Sequence, residues 1–150
     1  MTSKPKLEFP VGTLQWVAGD LWQMDDSCTL FGKRFSIKHQ FQIDIDEGLE
    51  PEQISAHQYY TANQPKVIAI CERAIREYSE SEEVQAISGS DTKICASAQT
   101  VTPLSILFPY AEPFETFGML CDCVWDIDNG LAVRFEKHAL AAIGTQNILL

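Results

Sequence analysis

The chain closes on the run Phe117 to Leu150, FGMLCDCVWDIDNGLAVRFEKHALAAIGTQNILL, and this run constrains the fold more than any other stretch. Side chains alternate faces along a strand, so parity decides which residues share a core. Met119, Cys121, Cys123, Trp125 and Ile127 fall on one face, and Leu131, Val133 and Phe135 share a face after the turn. A two-residue Asn129-Gly130 turn would set Asp128 against Leu131 and mix carboxylates into the apolar side. A three-residue loop, Asp128-Asn129-Gly130, with Gly130 left-handed as a bulge, pairs Ile127 with Leu131, Trp125 with Val133 and Cys123 with Phe135. The outer face then carries Asp122, Asp126, Arg134 and Glu136. Lys137-His138 makes the next turn, before a strand from Ala139 to Ile143.

The first half reads in the same terms. Leu7, Phe9 and Val11 with Leu14 and Trp16 suggest a strand broken near Pro10 and Gly12, and Trp22 to Leu30 is its hairpin partner across Ala18-Gly19-Asp20. After a turn at Phe31-Gly32-Lys33-Arg34, the series Phe35, Ile37, His39, Phe41, Ile43 and Ile45 alternates with polar residues, which predicts one buried and one wet face. His39 belongs to the apolar series and has no second histidine or cysteine at ligand spacing, so it reads as a buried or edge histidine.

Two helices follow. Pro51 suits a first helical position and opens a helix through Ile54, Gln58 and Tyr59 to about Asn63. Asn63 or Gln64 then caps a second, on which Val67, Ile68, Cys71, Ala74, Ile75 and Tyr78 recur at spacings of three and four. Tyr59, Tyr60 and Tyr78 are expected in the core rather than on a binding face. Ser79 to Thr92 reads as a linker with at most a short turn of helix, Ser88-Gly89-Ser90-Asp91 included. Val101 to Phe108 contains Pro103 and reads as a helical turn followed by an edge strand, since proline cannot serve a central ladder. The turn Pro109 to Pro113 ends it.

These elements predict one domain over residues 1–150, with a disordered tail at 1–6 and a long loop at 79–97. Its fold class is α+β: an antiparallel β-sheet, made of N-terminal hairpins and the C-terminal three-stranded meander, with a central helical pair packed against it. The 150 residues suffice for a real core. No apolar run is long enough for a bilayer, and MTSKPKLEFP lacks the apolar stretch of a secretion signal, which points to the cytoplasm. Five scattered cysteines suit reduced thiols.

A net charge of -10 argues against nucleic acid and is compatible with a basic protein partner. The candidate partner surface is Asp44, Asp46, Glu47, Glu50 and Glu52, with Asp122, Asp126 and Glu136 as a second patch. Asp44 to Gly48 and Asp126 to Gly130 echo a calcium loop but put glycine where a side-chain ligand is needed, so no metal is expected. Cys121 and Cys123 point the same way into an apolar face and lack further ligands. Neither Cys121 with His138, as nucleophile and base, nor Asp122 with Asp126, as paired carboxylates, has an oxyanion motif beside it. The chain is therefore expected to be no enzyme, and no cofactor is implied.

Trp125-Asp126, Asp128-Asn129-Gly130-Leu131, Val133-Arg134-Phe135 and the ending Ile143-Gly144 to Ile148-Leu149 resemble a family of bacterial domains of unknown function. That family has a WD-x-E-H-G-L-type C-terminal hairpin and a VG-x-x-D-I-type ending. Asp128-Asn129 stands where the family has Glu-His, and Lys137-His138 replaces its usual Asp-Gly turn. Leu49 to Ile54 is similar to the family's T-P-E-Q-I helix start, with Glu50 in place of the threonine. Thr102 to Ile106 is similar to its segment before the final strands. Such domains resemble proteins encoded beside secreted toxins, where small acidic partners act as immunity proteins. The resemblance implies a protein that binds and neutralises a cognate, basic toxin. The alternative is a small-ligand or regulatory binding module, with a pocket lined by Tyr59, Tyr60, Trp125 and His39.

Overall fold

Alternation becomes strand wherever the turn chemistry permits a tight reversal. Phe31 and Gly32 both take positive φ, as do Lys137 and His138, the left-handed pair that a two-residue hairpin turn requires. The computed structural model describes residues 5–88, 93–111 and 114–150. Among them, eight strands follow one another across one sheet in chain order. They are β1 (Lys6–Phe9), β2 (Gly12–Ala18), β3 (Leu21–Leu30), β4 (Lys33–Gln42), β5 (Val101–Phe108), β6 (Thr116–Cys123), β7 (Leu131–Glu136) and β8 (Ala139–Gly144). Between β4 and β5 run α1 (Pro51–Ala62), α2 (Gln64–Ser79) and α3 (Glu82–Ser88), and a 3-10 turn (Gln146–Ile148) follows β8.

The expected antiparallel sheet with a helical pair laid on it is overturned. The two halves are one continuous mixed sheet, because β4 and β5 run parallel, pairing Lys38 with Ser105 through Phe41 with Phe108. A parallel pair needs a crossover of a dozen residues or more, and α1 to α3 supply it. Proline misled the reading of β5, which is strand from end to end with no helical turn and is flanked on both sides from Ser105 onward. Pro103 is tolerated because β4 pairs only from Ser105 onward, and the register with β6 shifts between Pro103 and Ser105.

The C-terminal meander exists, in a different register. Phe117 pairs with Phe135, Met119 with Val133 and Cys121 with Leu131. The face assignment holds for these residues, but the connection is longer than three residues and runs from Val124 to Gly130. Trp125 folds inward from that loop as a buried residue, whereas Ile127 is 81% exposed. Asp126 also lies in the loop, so only Asp122, Arg134 and Glu136 keep their expected strand positions. Ile45, expected inside, is exposed. Lys6 already lies in β1, and α3 occupies part of the expected long loop. Residues 1–4 of the expected tail, 89–92 of the linker and Glu112-Pro113 fall outside the described residues.

The main core lies between the helices and one face of the sheet. Val67, Ile68, Cys71, Ala74, Ile75 and Tyr78 of α2 meet Ile37, Phe41, Ile106, Phe108, Phe117, Met119 and Val133 there. Stacked rings run across four strands, β4 to β7: Phe41 on Phe108 at 4.8 Å, Phe108 on Phe117 at 6.0 Å and Phe117 on Phe135 at 4.8 Å. The opposite face is polar over β3 and β4, where Gln23 bonds Gln40 and Arg34 bonds Ser27. Over β5 to β7 it is apolar, and Leu149 covers Leu107, Leu120 and Ala132. Arg134 Nη1 donates to Ile148 O at 2.9 Å and Gln146 Nε2 to Cys121 O at 2.8 Å, pinning the tail. Gly118 makes room for it, since a Cβ there would sit 2.5 Å from Val133 O and 2.6 Å from Leu149 Cδ2.

Gln53 joins helix to sheet. Wholly buried at N3 of α1, it accepts Glu50 N–H at 3.0 Å in a capping box. Its Nε2 donates to Gln42 O at 2.7 Å and Phe108 O at 3.0 Å, the last carbonyls of β4 and β5. Gln53→Leu strands these acceptors and is expected to cost roughly 1–3 kcal/mol. Gly118→Ala forces the tail or the β7 backbone to move, at about 1–3 kcal/mol. Urea unfolding should show a lower midpoint in each case with an unchanged slope; midpoints equal to wild type would refute these roles.

Candidate functional site

Three places gather groups able to do chemistry or bind. The first is internal, where β4 and α1 bring together two histidines. His39 is 3% exposed and His57 8%. Their rings meet edge-on, with His39 Nδ1 3.3 Å from His57 Nε2. His39 Nε2 lies 2.8 Å from Asp26 Oδ2, an ion-pair contact whose N–H does not align as a good hydrogen bond. An ionised carboxylate only accepts, so it favours the proton on His39 Nε2; Nδ1 then accepts, and His57 Nε2–H is the donor. Tyr60, Phe108 and Phe41 pack around the pair. Burial lowers the pKa of His39 against the opposing pull of Asp26. Burial, and then the charge His39 would carry, push His57 down to about 4. Sequence reading took His39 as a buried or edge histidine, of which it is the former, and missed its neighbour. The available signal was helical spacing, since His57 falls among Gln53, Ala56 and Tyr60 on the buried face of α1.

The second place is the β7–β8 turn. The His138 ring stacks on Tyr59 at 3.9 Å and 2°, and its Nε2 meets the Glu115 carboxylate. Glu52, Phe114, Glu115, Lys137 and His138 line a hollow of about 400 Å³ here. Cys121 does not share this corner with His138. It pairs with Leu131 at one end of the β6–β7 hairpin, while His138 follows Glu136, which pairs with Thr116 at the other. Burial holds the Cys121 thiol well above its ordinary pKa and pushes Cys28 and Cys123 up to about 11, so these thiols stay protonated.

The third is a groove of about 610 Å³ between the β2–β3 turn and the segment after β4. Pro5, Trp16, Gly19, Asp20, Trp22, Ile43, Asp44, Ile45 and Tyr110 line it. The alternative pocket expected of Tyr59, Tyr60, Trp125 and His39 does not form: Tyr60, Trp125 and His39 are buried, and Tyr59 lies against His138.

The acidic candidates separate by role. Asp44, Asp46 and Glu47 are exposed in the turn after β4, where Asp44 Oδ1 accepts Asp46 N–H at 3.0 Å. Glu50 is structural: its carboxylate takes Ala111 N–H at 2.7 Å. Glu52 belongs to the His138 hollow. The second patch is not contiguous. Asp122 and Asp126 lie near the far end of the β6–β7 hairpin, and Asp126 is bound to Asn129 at 3.1 Å. Glu136 lies at the other end, 2.9 Å from Arg134 Nε.

The histidine pair gives stability a pH dependence. The folded pKa of His57 is below its unfolded value of about 6.5, so the unfolded chain takes the proton first. Its contribution is intact above pH 6.5 and is lost as pH falls toward 4, on the order of 3 kcal/mol in all. His57→Gln keeps a donor for His39 Nδ1 and removes that titration. Urea unfolding at a series of pH values should show a shallower loss between 6.5 and 4; identical slopes in wild type and variant would exclude this role.

Among the described residues no helix is long and apolar enough to cross a membrane. Neither a curated protein nor a solved structure matches the chain. A family model does, over residues 9–150, and by that extent the chain belongs to the family described as domain of unknown function DUF6985.

Proposed function

We propose that the chain is a non-catalytic binding protein that captures a basic protein through the turn from Asp44 to Glu47, and that this partner is a cognate bacterial toxin which it neutralises in the cytoplasm. The observation that carries the reading is Ile45. It stands 55% exposed between the exposed carboxylates of Asp44, Asp46 and Glu47, at the rim of the aromatic groove. An apolar anchor ringed by charge is the composition of a protein contact, in which the apolar centre supplies affinity and the rim supplies steering. The net charge of -10 adds long-range attraction for a basic partner and repels nucleic acid. All five cysteines are free thiols, consistent with a reducing compartment. Neutralisation follows from occupancy, since a small acidic protein seated over a basic substrate groove excludes the substrate. Glu50, engaged at the helix start and with Ala111, is less free to meet a partner than Asp46 and Glu47.

Tagged protein should recover one basic polypeptide from its native host, and co-expression should rescue cells from that polypeptide's toxicity. Asp46→Lys with Glu47→Lys is expected to weaken capture by more than about tenfold and to steepen its loss with salt, with thermal stability unchanged. Ile45→Ala should weaken it by a further factor without changing the salt dependence. Capture of the same partner with undiminished affinity by the charge-reversed protein would overturn the reading.

A further inference from the structure

The groove beside Ile45 is aromatic, acidic and short of cations. Trp16 donates its Nε1–H to Gly19 O at 2.9 Å, which fixes the half-buried indole in the groove wall. Trp22, only 5% exposed, is the floor and is held by an edge-on contact with Phe9 at 5.4 Å, while Tyr110 is 42% exposed at the mouth. Asp20 and Asp44 add two carboxylates. Among the described residues no lysine, arginine or histidine lines the groove and no salt bridge reaches either carboxylate. Desolvation first, then a hydrogen bond with Asp20 and the charges of Asp20, Asp44 and Glu50, push the Tyr110 phenol up to about 12.

Aromatic faces and carboxylates without a cation beside them share one complement, an organic cation. Of the two protein cations, the guanidinium fits better, because it is planar, stacks on an indole, forks onto a carboxylate and is more weakly hydrated than an ammonium. We propose that this groove is an arginine socket, in which a side chain of the basic partner lays its guanidinium against the Trp16, Trp22 and Tyr110 rings and meets Asp20 and Asp44. The proposal rests on the reading of the chain as a binder of a basic protein, and it names the anchor that partner would use.

The test needs only the intact protein. N-acetyl-arginine methylamide is titrated while the indole N–H signals of Trp16, Trp22 and Trp125 are followed by NMR, Trp125 lying outside the groove. Saturable shifts are expected at Trp16 and Trp22 and none at Trp125. The citrulline analogue, equal in shape and uncharged, should bind at least about tenfold more weakly. Asp20→Asn and Asp44→Asn, which keep the acceptor oxygens, should each weaken the arginine compound by about threefold to tenfold. Equal binding of the citrulline compound, or no saturable shift, would overturn the socket. Tighter binding of tetramethylammonium would overturn arginine as the occupant in favour of a free quaternary ammonium ligand. The two readings fail separately: a partner captured by the acidic turn with no socket shifts overturns the socket alone, and socket binding with no basic partner recovered overturns the capture reading.

Discussion

The parallel pairing of β4 with β5 is the constraint on which the rest depends. It is the single seam between two antiparallel meanders, and its four registered pairs place Phe41 on Phe108 beneath α1. Gln53 closes the seam at the end where both strands stop, and the same side chain starts the helix. Strand pairing, helix start and core packing therefore share one buried amide. The histidine pair sits within this region, with both rings against Phe108, so its protonation acts on the seam itself.

The seam also decides what can meet on the surface. Trp16, Trp22 and Asp20 come from the first meander, and Tyr110 follows β5, the first strand of the second. The groove exists only when the two are joined. Along the same strand ends, over β6 and β7, Tyr59 from α1 meets His138 from the last hairpin turn. Both sites are thus assembled by tertiary contact, and neither belongs to a contiguous stretch of chain.

This explains what the sequence made legible. Parity alone assigned Met119, Cys121, Cys123, Leu131, Val133 and Phe135 to one face, because face membership depends only on local alternation. Register depends on loop length, and the Val124 to Gly130 loop bends Trp125 inward by an arrangement that alternation does not encode. Capping chemistry located α1 and α2 to within a residue or two. Pro103 was read by a rule that holds for strands paired on both sides, and at that position β5 has one partner. The acidic turn could be seen as charge, but the exposure of Ile45 and the commitment of Glu50 to Ala111 depend on contacts from distant segments.

The seam has a kinetic consequence as well. Each meander is built from neighbouring strands joined by short connections, so its contacts close small loops and can form early. Pairing Lys38 with Ser105 closes a far longer loop, and only after the chain has passed through three helices. Its closure entropy is recovered only once Gln53 and the stacked rings are in place. By contact order this pairing is the costliest in the sheet to close, and wherever it is open the inner edges of β4 and β5 stand as unpaired strand edges.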